Sequence, residues 1–439
     1  MELTKKNAIF AHKFTKIMDI KELYKLYQQH LCITTDSRDC PKDSIFLALK
    51  GESFDGNKFA LSALEKGCAY AIVDDKELST VNPKLILVDD CLQTFKDLAR
   101  EHRRQFDIPV IGITGTNGKT TTKELIAAVL QQKFNVLYTQ GNFNNDVGVP
   151  KTLFRLTKDH EIAVIEMGAS HPGDIKTLVE TVEPTCGLIT NVGRAHLQGF
   201  GSFEGVMKTK GELYDFLGDR TVFLDADNEH LVRMAKERNL KHVITYGSTV
   251  GRVTSCNPFV NFEWTHGDVH THLIGAYNIS NILAAITVGL HFGVTPEQIN
   301  HALENYVPSN NRSQLTVTEH NHLVVDACNA NPTSMAAAIE NFRLMEVAPK
   351  MAIIGVMGEL GDVSREEHMK VGEQLRRAAF DRVWLVGEEF RNATLDASWQ
   401  WFATTDDVIE ALRHDRPEGY YILIKGSHSN HLDRLVEEL

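Results

Sequence analysis

Short apolar runs bounded by glycine, proline or polar clusters alternate along this chain with longer stretches whose apolar positions recur at helical spacing. Continuous apolar runs suit strands buried on both faces, and their alternation with helices predicts an α/β fold with largely parallel sheets. Runs at 45–49, 69–73 and 85–88 predict a small first α/β unit. A second series of strands is predicted at 109–114, 162–166, 187–190, 221–224 and 242–246, followed by a helix over 279–292. The segment Val307-Pro308-Ser309-Asn310-Asn311 carries breaker residues and reads as a linker. Beyond it, strands at 323–325, 351–356, 383–386 and 420–424 alternate with helices near 334–344, 366–379 and 407–412, a repeated βα pattern of Rossmann type. The expected domains are 1–104, 105–307 and 308–439. There is no internal repeat and no low-complexity stretch.

Composition narrows the function classes. The chain has 439 residues, 46 Lys plus Arg against 58 Asp plus Glu, and a formal charge of −12. That balance disfavours nucleic acid and anionic membrane as partners, since both need a basic surface. Any polyanionic ligand must be met by locally placed positive groups. No apolar run reaches the roughly 20 residues of a membrane span. The start, Met1-Glu2-Leu3-Thr4-Lys5-Lys6, lacks the apolar core of a signal peptide. Seven cysteines, Cys32, Cys40, Cys68, Cys91, Cys186, Cys256 and Cys328, form no C-x-x-C pair. A disulfide framework and a zinc site are disfavoured, and the reducing cytoplasm is the expected compartment.

The strongest motif is Gly115-Thr116-Asn117-Gly118-Lys119-Thr120-Thr121, between a strand and an amphipathic helix whose apolar face includes Leu125, Ile126, Val129 and Leu130. Glycines let backbone N–H groups converge on phosphate oxygens, and the helix N-terminus adds partial positive charge. Lys119 is placed to reach the outer phosphates and Thr120 to offer its hydroxyl to Mg²⁺. Ile113 stands where the general P-loop pattern has its first glycine, so this is the shorter T-G-x-x-G-K-T form. The glycines at 112, 115 and 118 do not fit a dinucleotide site. The plainer alternative is a Gly-rich turn with a surface lysine.

Glu166 ends a predicted strand, where a P-loop nucleotidase holds its metal. His196 follows another strand and is expected near the phosphates. In Met207-Lys208-Thr209-Lys210-Gly211-Glu212, the two lysines on a helix would ordinarily mark a solvated face.

These residues resemble the Mur ligases, ATP-dependent amide-bond-forming enzymes of peptidoglycan synthesis. The resemblance runs along nearly the whole chain. It includes the ATP loop, the Asn-rich segment Gly141-Asn142-Phe143-Asn144-Asn145-Asp146-Val147-Gly148-Val149-Pro150, and Glu166-Met167-Gly168-Ala169. It continues through Ala195-His196-Leu197-Gln198-Gly199-Phe200-Gly201-Ser202 and Asn329-Ala330-Asn331-Pro332. In the first domain, Asp36-Ser37-Arg38 and the segment 46–56 are similar to the family's uridine-nucleotide region. The resemblance implies a three-domain architecture, with a central P-loop parallel sheet and a Rossmann-like C-terminal domain. It implies a cytoplasmic, monomeric ligase that joins D-alanyl-D-alanine to UDP-N-acetylmuramoyl-tripeptide through an acyl phosphate, using ATP and two Mg²⁺ ions.

Residue roles follow from the same resemblance. Gly115, Thr116, Asn117, Gly118, Lys119, Thr120 and Thr121 would bind ATP, with Asn278 and Asn281 at adenine and Arg312 and Asp326 approaching phosphates and ribose. Ser37, Arg38, Lys50, Asn142, Asn145, Asn329, Asn331 and Lys425 would bind the other substrates. Lys210 would be carbamylated and hold metal with Thr120, Glu166 and His196; Lys119, Lys210 and His196 would be catalytic. Carbamylation needs a neutral amine, which burial favours. Lys208 is the neighbouring candidate. Helix capping is a second role open to Asn278. Glu359-Leu360-Gly361 resembles another family segment, with no role assigned.

Several positions depart from the family pattern: Asn57 and Tyr277 where His is common, Val356 where Asp is usual, His428 where Arg is usual, and Ser309-Asn310-Asn311 for a Pro-Gly lead-in. Two rivals remain. One is a related ligase that adds a single amino acid or extends folate, against which stand the hundred-residue module before the P-loop and Asn329-Ala330-Asn331-Pro332 in place of Asp-Asn-Pro-Arg. The other is a non-catalytic nucleotide-binding protein, which would not need Glu166, His196 and Lys210 together.

Overall fold

The computed structural model describes residues 17–308, 312, 314–327, 329–393 and 396–439. The opening hexapeptide, the linker residues Ser309, Asn310 and Asn311, and Cys328 lie outside the described residues. Two compact units divide the chain. One holds the N-terminal part to Ile108 together with Phe143–Asp159 and Glu180–Glu183; the other holds Pro109–Asn142, His160–Val179 and Pro184–Leu439.

In the first unit, Ile33–Thr34, Ile45–Leu47, Tyr70–Val73 and Leu85–Leu87 form a four-stranded parallel sheet in that order. Its apolar strands are covered by Ile20–His30 and Cys91–Arg103, through Leu23, Tyr27, Phe95 and Leu98. The segment Phe143–Asp159 packs here as well. The reason is apolar: Val149 and Leu153 of helix Gly148–Leu153 are fully buried, and Phe154 lies 5.0 Å from the Tyr27 ring and 5.6 Å from Phe95.

The second unit contains two six-stranded sheets. In the first, all strands are parallel, in the order Val243–Tyr246, Thr221–Asp225, Cys186–Ile189, Val110–Thr114, Ile162–Glu166, Val136–Tyr138. Val110–Thr114 is buried at every position, which suits a central strand. From it the chain moves first to one side and then to the other. That reversal opens a crevice at the carboxyl ends of Val110–Thr114, Ile162–Glu166 and Cys186–Ile189. Helix Ile279–His291, apolar nearly all round, is buried between the P-loop helix Lys119–Leu130 and a three-stranded antiparallel sheet of Gly251–Cys256, Phe259–Trp264 and Gly267–Ile274. The sequence reading did not anticipate that small sheet.

The second six-stranded sheet runs Gln314–Val317, His322–Asp326, Tyr421–Lys425, Lys350–Gly355, Arg382–Val386, Gln400–Phe402. Only its first edge strand is antiparallel. Tyr421–Lys425 returns between His322–Asp326 and Lys350–Gly355, so a second crevice opens at Asp326 and Lys425. The C-terminal region 308–439 builds this sheet around two apolar cores, one on Met335, Phe342 and Leu385 and one on Trp384, Val408 and Ile424. Among the described residues no helix is long and apolar enough to cross a membrane.

Candidate active site

The loop after Val110–Thr114 takes its shape from two glycines in left-handed conformations, Gly115 at φ 146° and Gly118 at φ 76°. Neither tolerates a side chain. A Cβ on Gly115 would sit 2.0 Å from Thr190 Oγ1, and one on Gly118 would sit 2.6 Å from Asn281 Oδ1. The loop is braced by the end of the neighbouring strand. Thr116 N–H donates to the Asn191 carbonyl at 2.9 Å and Asn117 N–H to Asn191 Oδ1 at 2.9 Å. Asn191 Nδ2 and Thr190 Oγ1 both donate to the Asn117 carbonyl, at 3.0 and 2.6 Å. Gly193 N–H closes the ring by donating to Thr116 Oγ1 at 2.9 Å. Sequence reading missed Thr190 and Asn191; their signal was a polar pair at the end of a buried strand.

Lys119 bends back over the loop, its Nζ donating to the Gly115 and Thr116 carbonyls at 2.9 and 3.0 Å. Burial pushes its amine below the usual lysine value; Glu166 opposes the shift and Arg312 adds to it. Thr121 is buried in the same first helical turn. Thr120 Oγ1 donates to Glu166 Oε1 at 3.2 Å. The first helical turn and the end of strand Ile162–Glu166 thus bring together two hard oxygen donors, the chemistry Mg²⁺ prefers. Among the described residues no cluster of three or more His, Cys, Asp and Glu side chains forms a preset metal cage.

Of the two lysines on helix Phe203–Leu217, Lys208 is exposed and Lys210 is buried. The solvated face expected from composition therefore holds for one and fails for the other. Lys210 Nζ reaches the Ala169 carbonyl at 3.4 Å and lies 5.5 Å from the centre of the Phe200 ring. The carboxylates of Asp174 and Glu212 act on it only weakly, opposing the shift that burial causes. Burial first, and the charge of Lys119 second, push its amine well below the usual lysine value.

His196, in a left-handed conformation at φ 50°, turns its ring against the Glu359 carboxylate of the C-terminal region. Gln198 N–H also donates to the Glu359 carbonyl at 3.3 Å. Glu359 thereby gains a structural place: it meets the His196 segment. The loop that carries it is held by His368, fully buried, whose Nε2 accepts Met357 N–H at 3.0 Å while Nδ1 bonds the Ser364 carbonyl at 2.7 Å. Burial lowers the His368 pKa, as a ring that must accept at Nε2 requires.

Asn278 and Asn281, expected at adenine, are both buried beneath the loop. Asn278 Nδ2 donates to the Ile274 carbonyl at 2.8 Å, Asn281 Nδ2 to Asn278 Oδ1 at 2.8 Å, and Thr122 Oγ1 to Asn281 Oδ1 at 2.9 Å. These bonds prop Gly118 from below. The capping role open to Asn278 is not realised, since its side chain makes no cap bond. Asn331 does cap a helix, Pro332–Leu344, through Ser334 N–H at 2.9 Å, and its Nδ2 donates to Asn117 Oδ1 of the P-loop at 2.7 Å.

In the C-terminal crevice Lys425, almost fully buried, pairs with Asp326 at 2.5 Å and donates to the Asn329 carbonyl at 3.2 Å. Val356 packs against Gly387, and His428 is exposed beside His431. Tyr277 is partly exposed next to Gly275. In the first unit, Arg38 is exposed and forks onto Asp36 at 2.9 and 2.8 Å, holding that carboxyl well below the usual carboxylate range. Lys50 pairs with Asp74 at 2.7 Å, and Asn57 Nδ2 reaches the same carboxylate at 2.7 Å. The Ser37 carbonyl accepts from Lys66 at 2.6 Å, and exposed Asn145 caps Gly148 N–H at 2.8 Å; Asn142, of the second unit, is exposed in a turn. The expected local cations Arg38, Lys50 and Lys425 are therefore each neutralised by a carboxylate.

A P-loop braced by a neighbouring strand end, with a threonine–glutamate oxygen pair and a buried lysine, offers the donors that a nucleotide phosphate needs. The chain matches the models of the Mur ligase middle domain over residues 113–289, the Mur ligase glutamate ligase domain over 311–428 and the Mur ligase family catalytic domain over 31–103. It belongs to the Mur ligase family. More particularly, it is 34% identical over 426 residues to the UDP-N-acetylmuramoyl-tripeptide–D-alanyl-D-alanine ligase of Bacillus subtilis (strain 168), covering 93% of this chain and 92% of that one. The crystal structure of MurF from Acinetobacter baumannii superposes with a TM-score of 0.85 at 29% identity, covering 94% and 97% of the two chains. MurF from Thermotoga maritima in complex with ADP gives 0.83 at 27% identity over 93% and 96%.

Proposed function

We propose that this chain is an ATP-dependent ligase that joins D-alanyl-D-alanine to UDP-N-acetylmuramoyl-tripeptide in peptidoglycan precursor synthesis. The relatives named for that reaction support it, and so does the MurF that carries ADP. The observation that carries the chemistry is the meeting of Lys119, Thr120 and Glu166 at the loop, together with the buried Lys210. ATP lies with its phosphates on the N–H groups of the loop and the first helical turn. The tripeptide carboxylate attacks the γ-phosphorus and ADP leaves. The dipeptide amine then attacks the acyl carbon, loses a proton and expels phosphate. Lys119 exchanges its two carbonyl partners for phosphate oxygens and stabilises the charge of the transferring group. Contact of the C-terminal region, through Asn331 on Asn117 and Glu359 on His196, excludes water that would hydrolyse the acyl phosphate.

Mg²⁺, when bound, neutralises phosphoryl oxygens. Thr120 and Glu166 would hold one ion; His196 and Lys210, as its carbamate, would serve a second. The neutral amine favoured by burial at Lys210 attacks CO₂, forming an N–C bond and releasing a proton. The uridine nucleotide belongs to the first unit, at Ser37, Arg38 and Lys50, and the dipeptide to the C-terminal region. Arg312 and Asp326 approach the nucleotide, and Asn142, Asn145 and Asn329 the peptide substrates. The enzyme works as a cytoplasmic monomer on small substrates. ADP release is measured with ATP, Mg²⁺, UDP-muramoyl tripeptide and D-alanyl-D-alanine, each omitted in turn. Release that ignores the dipeptide refutes the reading. Lys210→Ala should lose turnover and regain part of it with short-chain acids; unchanged turnover removes the carbamate.

A further inference from the structure

The helix that opens with Lys119 and Thr120 carries a second basic residue one turn on, Lys123, whose side chain is fully buried. A buried ammonium is costly, and a well-packed apolar side chain in its place is often as stable or more so. Packing alone therefore does not call for a lysine here. Its Nζ donates to the Thr139 carbonyl at 2.6 Å, pairs with Glu124 at 2.7 Å and lies 5.7 Å from the centre of the Tyr138 ring. Thr139 stands just past the edge strand Val136–Tyr138 and is itself fully buried. Its N–H donates to the Val164 carbonyl at 3.1 Å, and its hydroxyl accepts the Glu166 N–H at 2.9 Å. Every polar group of Thr139 is thereby engaged, one of them with the residue that meets Thr120.

We propose that Lys123 is a positioning residue for Glu166, acting through Thr139: the buried chain Lys123–Thr139–Glu166 sets the distance between the Thr120 hydroxyl and the Glu166 carboxylate, and with it the affinity of the divalent cation that accompanies the nucleotide. It rests on the reading of Thr120 and Glu166 as metal donors. Helix and strand end otherwise meet through the Thr120–Glu166 side-chain bond. A cation on the helix that grips the carbonyl of the residue gripping Glu166 ties the two donors into one rigid frame. Outer groups of this kind orient metal ligands and commonly change affinity by about 10–100-fold when removed.

The test reads the Mg²⁺ dependence of ADP binding by calorimetry, without turnover, on the full chain, with thermal unfolding in parallel. Lys123→Met keeps the stem and removes the charge. Thr139→Val removes the hydroxyl, and Thr139→Ser restores it. The half-saturating Mg²⁺ concentration should rise about ten-fold or more in Lys123→Met and Thr139→Val and return towards wild type in Thr139→Ser. The double variant should shift no further than the larger single one. Folded Lys123→Met and Thr139→Val with wild-type Mg²⁺ dependence, while Glu166→Gln shifts, overturns this inference alone. Unchanged dependence in Glu166→Gln overturns the metal reading and this inference with it. If Lys123→Met does not fold, the Thr139→Val and Thr139→Ser pair decides.

Discussion

Two crevices of the second unit, each at the carboxyl ends of parallel strands, treat a buried lysine in opposite ways. At the end of His322–Asp326 and Tyr421–Lys425, adjacent strands deliver Asp326 and Lys425 into register, and the two charges satisfy one another at 2.5 Å. Beside the P-loop strand, Lys210 has a weak carbonyl contact and an aromatic face, and its amine is driven towards the neutral form. The same residue type is structural where the topology pairs it with a carboxylate and poised for reaction where burial outweighs the more distant carboxylates Asp174 and Glu212. Lys119 belongs with Lys210: two carbonyls hold it in place without neutralising it.

The largest expected effect tests the reactive side. Lys119→Ala should lower kcat by about 10³-fold, the loss of one well-placed charge donor; a drop under about ten-fold in steady-state assays would remove Lys119 from the chemistry. On the structural side, Lys425→Met should cost about 3–5 kcal/mol in urea unfolding, because it leaves the Asp326 carboxylate without its partner. A loss below about 1 kcal/mol would mean that Asp326 is well solvated and that the two crevices do not differ in kind. Asn281→Ala should cost about 1–3 kcal/mol by stranding the buried Thr122 hydroxyl and Asn278 amide, and should weaken ADP binding as Gly118 loses its prop. Stability unchanged by calorimetry would return Asn281 to a direct nucleotide contact.

The smallest effect is one of pH. Since the folded chain lowers the Lys210 pKa below the unfolded value of about 10.4, the unfolded state binds more protons between those two values. Stability must therefore rise with pH through that window, and the penalty from Lys210 is fully present below the folded value. In CO₂-free buffer, Lys210→Met should be at least as stable as wild type near neutrality, and the difference should shrink as pH approaches about 10.4. A difference that grows with pH would show that a partner holds Lys210 in its charged form.

Much of the phosphate site was legible because its chemistry is consecutive. Gly115 to Thr121 form one loop and one helical turn, so spacing alone puts glycines, lysine and hydroxyl side by side. Strand-end residues such as Glu166 were legible for a similar reason, since a buried run must end where polar residues begin. The supports were not. Asn191, Thr139 and Lys123 reach the loop or Glu166 from three different elements, and nothing local distinguishes them from other polar residues. The small antiparallel sheet escaped a search for continuous apolar runs, because Phe259–Trp264 and Gly267–Ile274 alternate more and less buried positions instead. The packing of Phe154 on Tyr27 and Phe95 was not legible, because those partners lie far back in the chain.

Local sequence was thus enough for the α/β class, the phosphate loop and the candidate donors, because each depends on neighbours within a few residues. Burial and pairing were matters for the fold. Lys208 and Lys210 sit two positions apart on one helix, yet one faces water and the other an apolar wall. Lys425 and Asp326 lie at the ends of neighbouring strands, whereas the strand end beside Lys210 supplies a carbonyl. Which lysine is charged, paired or free to react depends on the dielectric and the charges around it, and those are set by elements distant in sequence.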